Sequence, residues 1–195
     1  LNTGGMGSIS PVPFADQEFL SKIDKKIIKP TVEGIIKDKL DYVGFLFIGI
    51  IKVKNEPFVI EYNVRMGDPE TQVILPRIKN DFLEMMIKTA TGELDTINLE
   101  VDHMSYANVV MVSGGYPESY EKGKKITGLN QKYESIVLHA GTKKENNKIV
   151  TNGGRVLSVI SKSNDFKTAL KKSYKTIDLI NFEGKQFRKD LGFDL

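Results

Sequence analysis

Near residue 100 the sequence changes texture, and that change constrains the fold more than any other feature. Before it, apolar residues recur at helical spacing or in long β-branched runs. After it, short apolar runs are cut by turns at Gly114-Gly115, Gly123, Gly128, Gly141 and Asn152-Gly153-Gly154. Short runs with that punctuation read as a small β domain, so a domain boundary is expected at residues 100–105.

Within the first part, Phe19, Ile23 and Ile27 stand four apart among charged residues, which predicts an amphipathic helix over 16–29. Pro30 should kink or restart it, with Val32, Ile35 and Ile36 continuing a helical face to about Leu40. Val43 to Val53 is a near-continuous β-branched and aromatic run, and Pro57 to Asn63 repeats the pattern after Lys54-Asn55-Glu56. These predict a hairpin with one strongly buried strand. Asp68-Pro69-Glu70 reads as an N-cap, a first-turn proline and an acidic residue, hence a helix start. Asp81 with Glu84 opens a further helix that Gly92 closes. In the second part, Asn152-Gly153 between Lys148–Thr151 and Arg155–Ile160 predicts a hairpin turn, and Phe166, Leu170, Tyr174 and Ile177 share a face of a last helix.

Composition removes several kinds of chemistry. With no Cys there is no disulfide, thiolate nucleophile or Cys-ligated zinc, and His103 and His139 do not make a histidine metal site, so a metal would have to sit on oxygen ligands. The run Phe45–Ile51 is far short of the ~20 apolar residues that cross a bilayer. LNTGGMGSIS has neither the basic nor the apolar region of a signal peptide, so a cytoplasmic protein with no membrane partner is expected. A net charge of +3, from 28 basic and 25 acidic residues, suits solubility rather than a nucleic-acid groove. The chain begins with Leu and a glycine loop that no preceding element carries, which suggests a fragment.

Period-2 alternation puts Val59, Glu61 and Asn63 on one strand face, with Arg65 beyond them if extended geometry continues. A carboxylate and a carboxamide oxygen can supply hard ligands to Mg²⁺, and a guanidinium fork suits phosphate oxygens. A solvent-facing polar side of a half-buried strand explains the same pattern. For Asp68 the alternatives are a helix cap and a group in an anion-binding loop. The glycines of Asn2–Gly7 would let backbone N–H groups approach an anion, or simply form a flexible turn.

Arg65-Met66-Gly67-Asp68-Pro69-Glu70-Thr71-Gln72 resembles the signature of glycinamide ribonucleotide synthetase, an ATP-grasp family of purine biosynthesis. Further matching segments run in family order: Asn2 to Gly7, Gly44-Phe45-Leu46, Ile60 to Asn63, Gly114 to Pro117, His139 to Thr142, Thr151 to Leu157 and Arg188-Lys189-Asp190. Met66 departs mildly, since the family usually carries Phe or Leu there; a thioether fills the same volume. The Glu-x-Asn strand is shared with other ATP-grasp ligases, and the GDPE, HAGT and NGGRV segments set this family apart from them. A noncatalytic binding module is a competing reading for the chain taken alone.

The resemblance implies an α+β fold: the larger lobe of an ATP-grasp domain, an antiparallel sheet with helices over 1–102, then a small β-rich C-terminal domain with a closing helix over 103–195. It implies that ATP, glycine and 5-phosphoribosylamine are joined through glycyl phosphate to glycinamide ribonucleotide. On that basis Glu61 and Asn63 match the ligands of Mg²⁺ or Mn²⁺, and Arg65 falls where phosphate or acyl phosphate is contacted. Gly67 and Asp68 fall where glycine is held, and Asn2, Thr3, Gly4 and Gly5 lie beside the acceptor site. Arg65 and Asp68 are the expected catalytic residues. The family implies a monomer, and a fragment without the adenine pocket is expected to be inactive alone. His139, Arg155 and Arg188 lie in matching segments without an assigned task.

Overall fold

The computed structural model describes residues 3–195; Asn2, expected at the acceptor loop, lies outside them. In chain order the elements are β1 (Gly7–Ser10), α1 (Gln17–Ile23), α2 (Lys29–Lys37), β2 (Phe47–Val53), β3 (Glu56–Asn63), α3 (Thr71–Ile74), α4 (Phe82–Thr91), β4 (Ser105–Val112), β5 (Ile136–His139), β6 (Thr142–Glu145), β7 (Lys148–Thr151), β8 (Arg155–Ser163) and α5 (Phe166–Leu179). They form two compact units, one of residues up to Ser10 with Asp68–Arg77 and Asp102–Asp194, the other of Pro11–Gly67 with Ile78–Val101. The fold is α+β with antiparallel sheets throughout.

The first unit is built on a four-stranded sheet in the order β1-β4-β8-β5. Its two central strands are apolar on both faces, and Tyr106–Val112 and Val156–Ser161 are buried throughout. That is the pattern of strands covered on both sides. α5 packs across β4 and β8, burying Phe166, Ala169, Leu170, Ser173, Thr176 and Ile177, with Asp165 capping it through Thr168 N–H at 2.8 Å. The interface carries a hydroxyl network: Ser135 Oγ lies 2.7 Å from both Ser161 Oγ and Thr176 Oγ1, and Ser173 Oγ donates to Ser161 Oγ at 3.0 Å.

The expected turn at Asn152-Gly153 is not a hairpin turn. β7 pairs back onto β6 through Asn146 and Asn147, at φ 47° and 59°, and β8 pairs instead with β4 and β5. Two consecutive asparagines tolerate the left-handed conformation that a two-residue hairpin loop requires.

In the second unit, α1 passes through one wide π-helical turn at Asp24–Ile28 before α2, whose first turn holds Pro30, so the helix restarts where the proline demands. Lys54 and Asn55, at φ 48° and 64°, close the β2–β3 hairpin. The hairpin is far more exposed than its composition suggests: of all its residues only Pro57 is buried, and Ile60 is 66% exposed. Among the described residues the pair stands as a two-stranded sheet, so neither strand is sandwiched as the apolar run predicts. α4 matches its sequence signals: Asp81 accepts Glu84 N–H at 3.0 Å and Gly92, at φ 75°, ends the helix.

Candidate active site

The second unit holds Glu61, Asn63 and Arg65. Asn63 pairs with Phe47 and Glu61 with Gly49, but Ile50 pairs with Val59, so Ile60 is an extra residue on β3. This bulge leaves Glu61 and Asn63 on one face, as expected, and moves Val59 to the other, against the unbroken alternation read from the sequence. Gly49 lies directly across from Glu61, where a Cβ would come within 3.0 Å of its Cγ; glycine leaves the carboxylate its room. Arg65 folds back along the chain, donating from Nη2 to Asn63 Oδ1 at 3.3 Å and from Nη1 to the Met66 carbonyl at 2.8 Å. Asn63 Nδ2 is buried with no partner among the described residues.

Gly67 also belongs to the second unit, whereas Thr3, Gly4, Gly5 and Asp68 belong to the first, and Asp68 is not the cap that its sequence context predicts. α3 starts at Thr71 with Glu70 at its N-cap position and no side-chain cap. The Asp68–Pro69 peptide is cis, and the Pro69 carbonyl accepts from Ser8 Oγ at 2.7 Å and from Asn108 Nδ2 at 3.4 Å. Pro69 therefore anchors the loop to β1 and β4 instead of opening a helix. The Asp68 carboxylate is held at both oxygens: Gln72 Nε2 donates to Oδ1 at 3.1 Å and Arg155 Nη2 to Oδ2 at 2.6 Å. Arg155 Nη1 also donates to the Asp68 carbonyl at 3.2 Å.

Three segments far apart in sequence meet here. A Cβ at Gly5, whose φ is +77°, would stand 2.7 Å from Arg155 Nη1, so the glycine loop lies against the guanidinium. Gly141 and Gly153 touch backbone to backbone, with a Cβ on Gly141 only 2.7 Å from Gly153 Cα. Ser113 Oγ donates to the Gly153 carbonyl at 2.8 Å, and Gly141 N–H to that of Arg155 at 2.8 Å. Close backbone approach thus calls for glycine at Gly114, Gly115, Gly141 and Gly153 of the GGYP, HAGT and NGGRV segments, whereas Gly154 leaves room for the Tyr116 ring. Together these segments line a cavity of about 380 Å³, with Asp68, Gln72, Val110, Tyr116, Arg155 and Ser158 in its wall.

Arg155 is the residue that sequence reasoning left without a task. Its segment was conspicuous, yet no periodicity connects it to a carboxylate 87 positions away. His139, at the end of β5, is exposed and shares a 2.9 Å hydrogen bond with Thr142 Oγ1, and Arg188 pairs with Asp190 at 2.8 Å. Both contacts are local.

Two family descriptions match the chain: "Phosphoribosylglycinamide synthetase, ATP-grasp (A) domain" over residues 1–71 and "Phosphoribosylglycinamide synthetase, C domain" over 106–194. The chain belongs to the phosphoribosylglycinamide synthetase family. It is 42% identical to a phosphoribosylamine–glycine ligase of Chlorobaculum tepidum, covering 98% of this chain and 46% of that protein. It is 44% identical to one of Caldanaerobacter subterraneus, covering 97% and 46%. The crystal structure of phosphoribosylamine–glycine ligase from Thermotoga maritima superposes with a TM-score of 0.85 at 35% identity, over 97% of this chain and 47% of that one. The chain spans about half the length of the curated relatives it matches. The family-level expectation and the α+β, ATP-grasp-type fold both stand. Among the described residues no helix is long and apolar enough to cross a membrane.

Proposed function

We propose that this chain contributes to an ATP-dependent ligase that joins glycine to 5-phosphoribosylamine. In the reaction, a glycine carboxylate oxygen attacks the γ-phosphorus of ATP, forming glycyl phosphate and releasing ADP. The ribosylamine nitrogen then attacks the glycyl carbonyl, and inorganic phosphate leaves with the oxygen that joined them. No protein nucleophile is needed, so the residues work by positioning and charge stabilisation. The observation that carries this reading is that Asp68 and Arg155, paired at 2.6 Å, line one cavity, with the glycine loop lying beside the Arg155 guanidinium, so that three family-matching segments meet.

In this reading Asp68 meets the glycine ammonium, with Gly67 beside it in the chain, and Thr3, Gly4 and Gly5, with Asn2, line the acceptor side. Arg65 offers its fork to phosphate or acyl phosphate oxygens, an interaction that lysine cannot reproduce. Glu61 and Asn63 present a carboxylate and a carboxamide oxygen from one strand face, which fits Mg²⁺ or Mn²⁺ completed by phosphate oxygens and water. Such an ion, when bound, neutralises charge on the transferring phosphate. Because Asn63 Oδ1 is already hydrogen-bonded to Arg65, the two side chains would adjust together on metal binding.

The division into an ATP-grasp part, 1–102, and a β-rich C-terminal domain, 103–195, belongs to the same proposal, and the two matched spans support it. A cytoplasmic, monomeric protein, small-molecule substrates, no nucleic-acid or membrane partner, and inactivity of the chain by itself are further parts of this proposal. Phosphate release from ATP tests the reading. A protein of the relatives' full length carrying this sequence should turn over only when glycine and 5-phosphoribosylamine are both present, and this chain alone should not. Turnover independent of glycine, or glycine-dependent turnover by the isolated chain, contradicts it.

A further inference from the structure

We infer that Arg155 is a positioning residue for Asp68, holding its carboxylate in the one orientation that faces the cavity. The inference rests on the assignment of Asp68 to glycine binding made above and adds to it the group that makes Asp68 effective. Arg155 grips a single residue twice, through the carboxylate at 2.6 Å and the main-chain carbonyl at 3.2 Å, which ties the side chain to its own backbone. A planar guanidinium fork can do both at once; an ammonium cannot. Gln72 holds the other carboxylate oxygen at 3.1 Å from one helical turn on, so rotation is blocked from two sides.

Neither contact closes the site. The Asp68 side chain remains 47% exposed, and each carboxylate oxygen keeps a further lone pair for an incoming cation. Gly5 lies close beside the guanidinium, where a Cβ would stand 2.7 Å from Nη1. In the cavity wall the guanidinium thus orients the carboxylate, and the carboxylate faces the ammonium of an amino acid. Preorganisation of this kind strengthens binding without adding a contact to the ligand. Arg155 contributes through Asp68, not by touching the substrate.

A double-mutant cycle on Arg155→Gln and Asp68→Asn, in a protein of the relatives' full length carrying this sequence, tests this with the apparent glycine KM, kcat, the ATP KM and the melting temperature as readouts. Removing a charge-assisted hydrogen bond of this type should raise the glycine KM by about tenfold or more in Arg155→Gln. The ATP KM should stay unchanged and kcat should fall by less than about threefold. Because Arg155 acts through Asp68, the double variant should be no worse than Asp68→Asn alone. Arg155→Lys, which keeps the charge and loses the fork, should show an intermediate glycine KM and serves if Arg155→Gln fails to fold. Multiplying effects in the double variant, or an unchanged glycine KM in Arg155→Gln or Arg155→Lys beside a raised one in Asp68→Asn, overturns the inference and leaves the Asp68 assignment standing. An unchanged glycine KM in Asp68→Asn overturns both.

Discussion

The two units divide packing and exposure unequally. In the first, β4 and β8 are buried along nearly their whole length and α5 covers one face of the sheet. In the second, β2 and β3 bury only Pro57, α4 buries nothing, and Val64 and Leu83 are 72% and 69% exposed. Yet both carry family-matching residues. The difference teaches that the two groups of candidate residues are held by different means. Asp68 lies in a loop tied to β1 and β4 and Arg155 opens the buried strand β8, whereas Glu61 and Asn63 are aligned by strand register and by a bulge that exempts them from the alternation around it.

Core truncation should show the contrast most strongly. Leu157→Ala removes a side chain with no exposed surface from the centre of β8 and should destabilise the first unit by about 2–5 kcal/mol, whereas Ile60→Ala in β3 should stay within about 0.5 kcal/mol. Chemical denaturation followed by strand-specific hydrogen exchange checks both, and equal losses would erase the distinction.

Acid should weaken the first unit through Asp102. Its carboxylate accepts Met104 N–H at 3.0 Å, the Tyr106 hydroxyl at 3.0 Å and Lys162 at 3.2 Å, and these hold its pKa down at about 2, with the Met104 amide the largest influence. A carboxyl with a lower pKa folded than unfolded stabilises the fold above its unfolded value of about 3.9. That contribution is lost as pH falls from there through about 2. Asp102→Asn, which has no proton to gain, should show a flatter melting-temperature profile between about pH 4 and 2 than the parent. Parallel profiles would mean that these contacts contribute nothing to folding.

A smaller effect belongs to α4. Asp81→Ala leaves the Glu84 N–H without its cap and should cost about 1 kcal/mol, visible as faster exchange in the first turn of α4 and not in β4. A loss that spread to β4 would mean that the two units unfold as one.

What the sequence disclosed depended on how local the cause was. The α4 caps, the restart at Pro30 and the tight turn at Lys54-Asn55 are settled within a few residues, and all three were legible. Burial of β2 was not, because a β-branched run reports what a strand could pack against and not what lies beside it. Asn152-Gly153 was misread for a similar reason: the dipeptide tolerates a hairpin turn, but Asn146-Asn147 takes that role and the glycine serves a close approach to Gly141. Asp68 and Pro69 carry every local mark of a helix start, and tertiary contacts from Arg155, Ser8 and Asn108 override them. Local propensity assigned this segment the wrong structural task.

The central claim, that glycine is activated on its carboxylate and not on its amine, can be followed atom by atom. Glycine labelled with ¹⁸O in both carboxylate oxygens should be supplied with ATP and 5-phosphoribosylamine to a protein of the relatives' full length carrying this sequence, and the released phosphate analysed by mass. Reaction through glycyl phosphate should place one labelled oxygen in each phosphate released and leave one in the amide product. Unlabelled phosphate, formed at the same rate as product, would contradict the account.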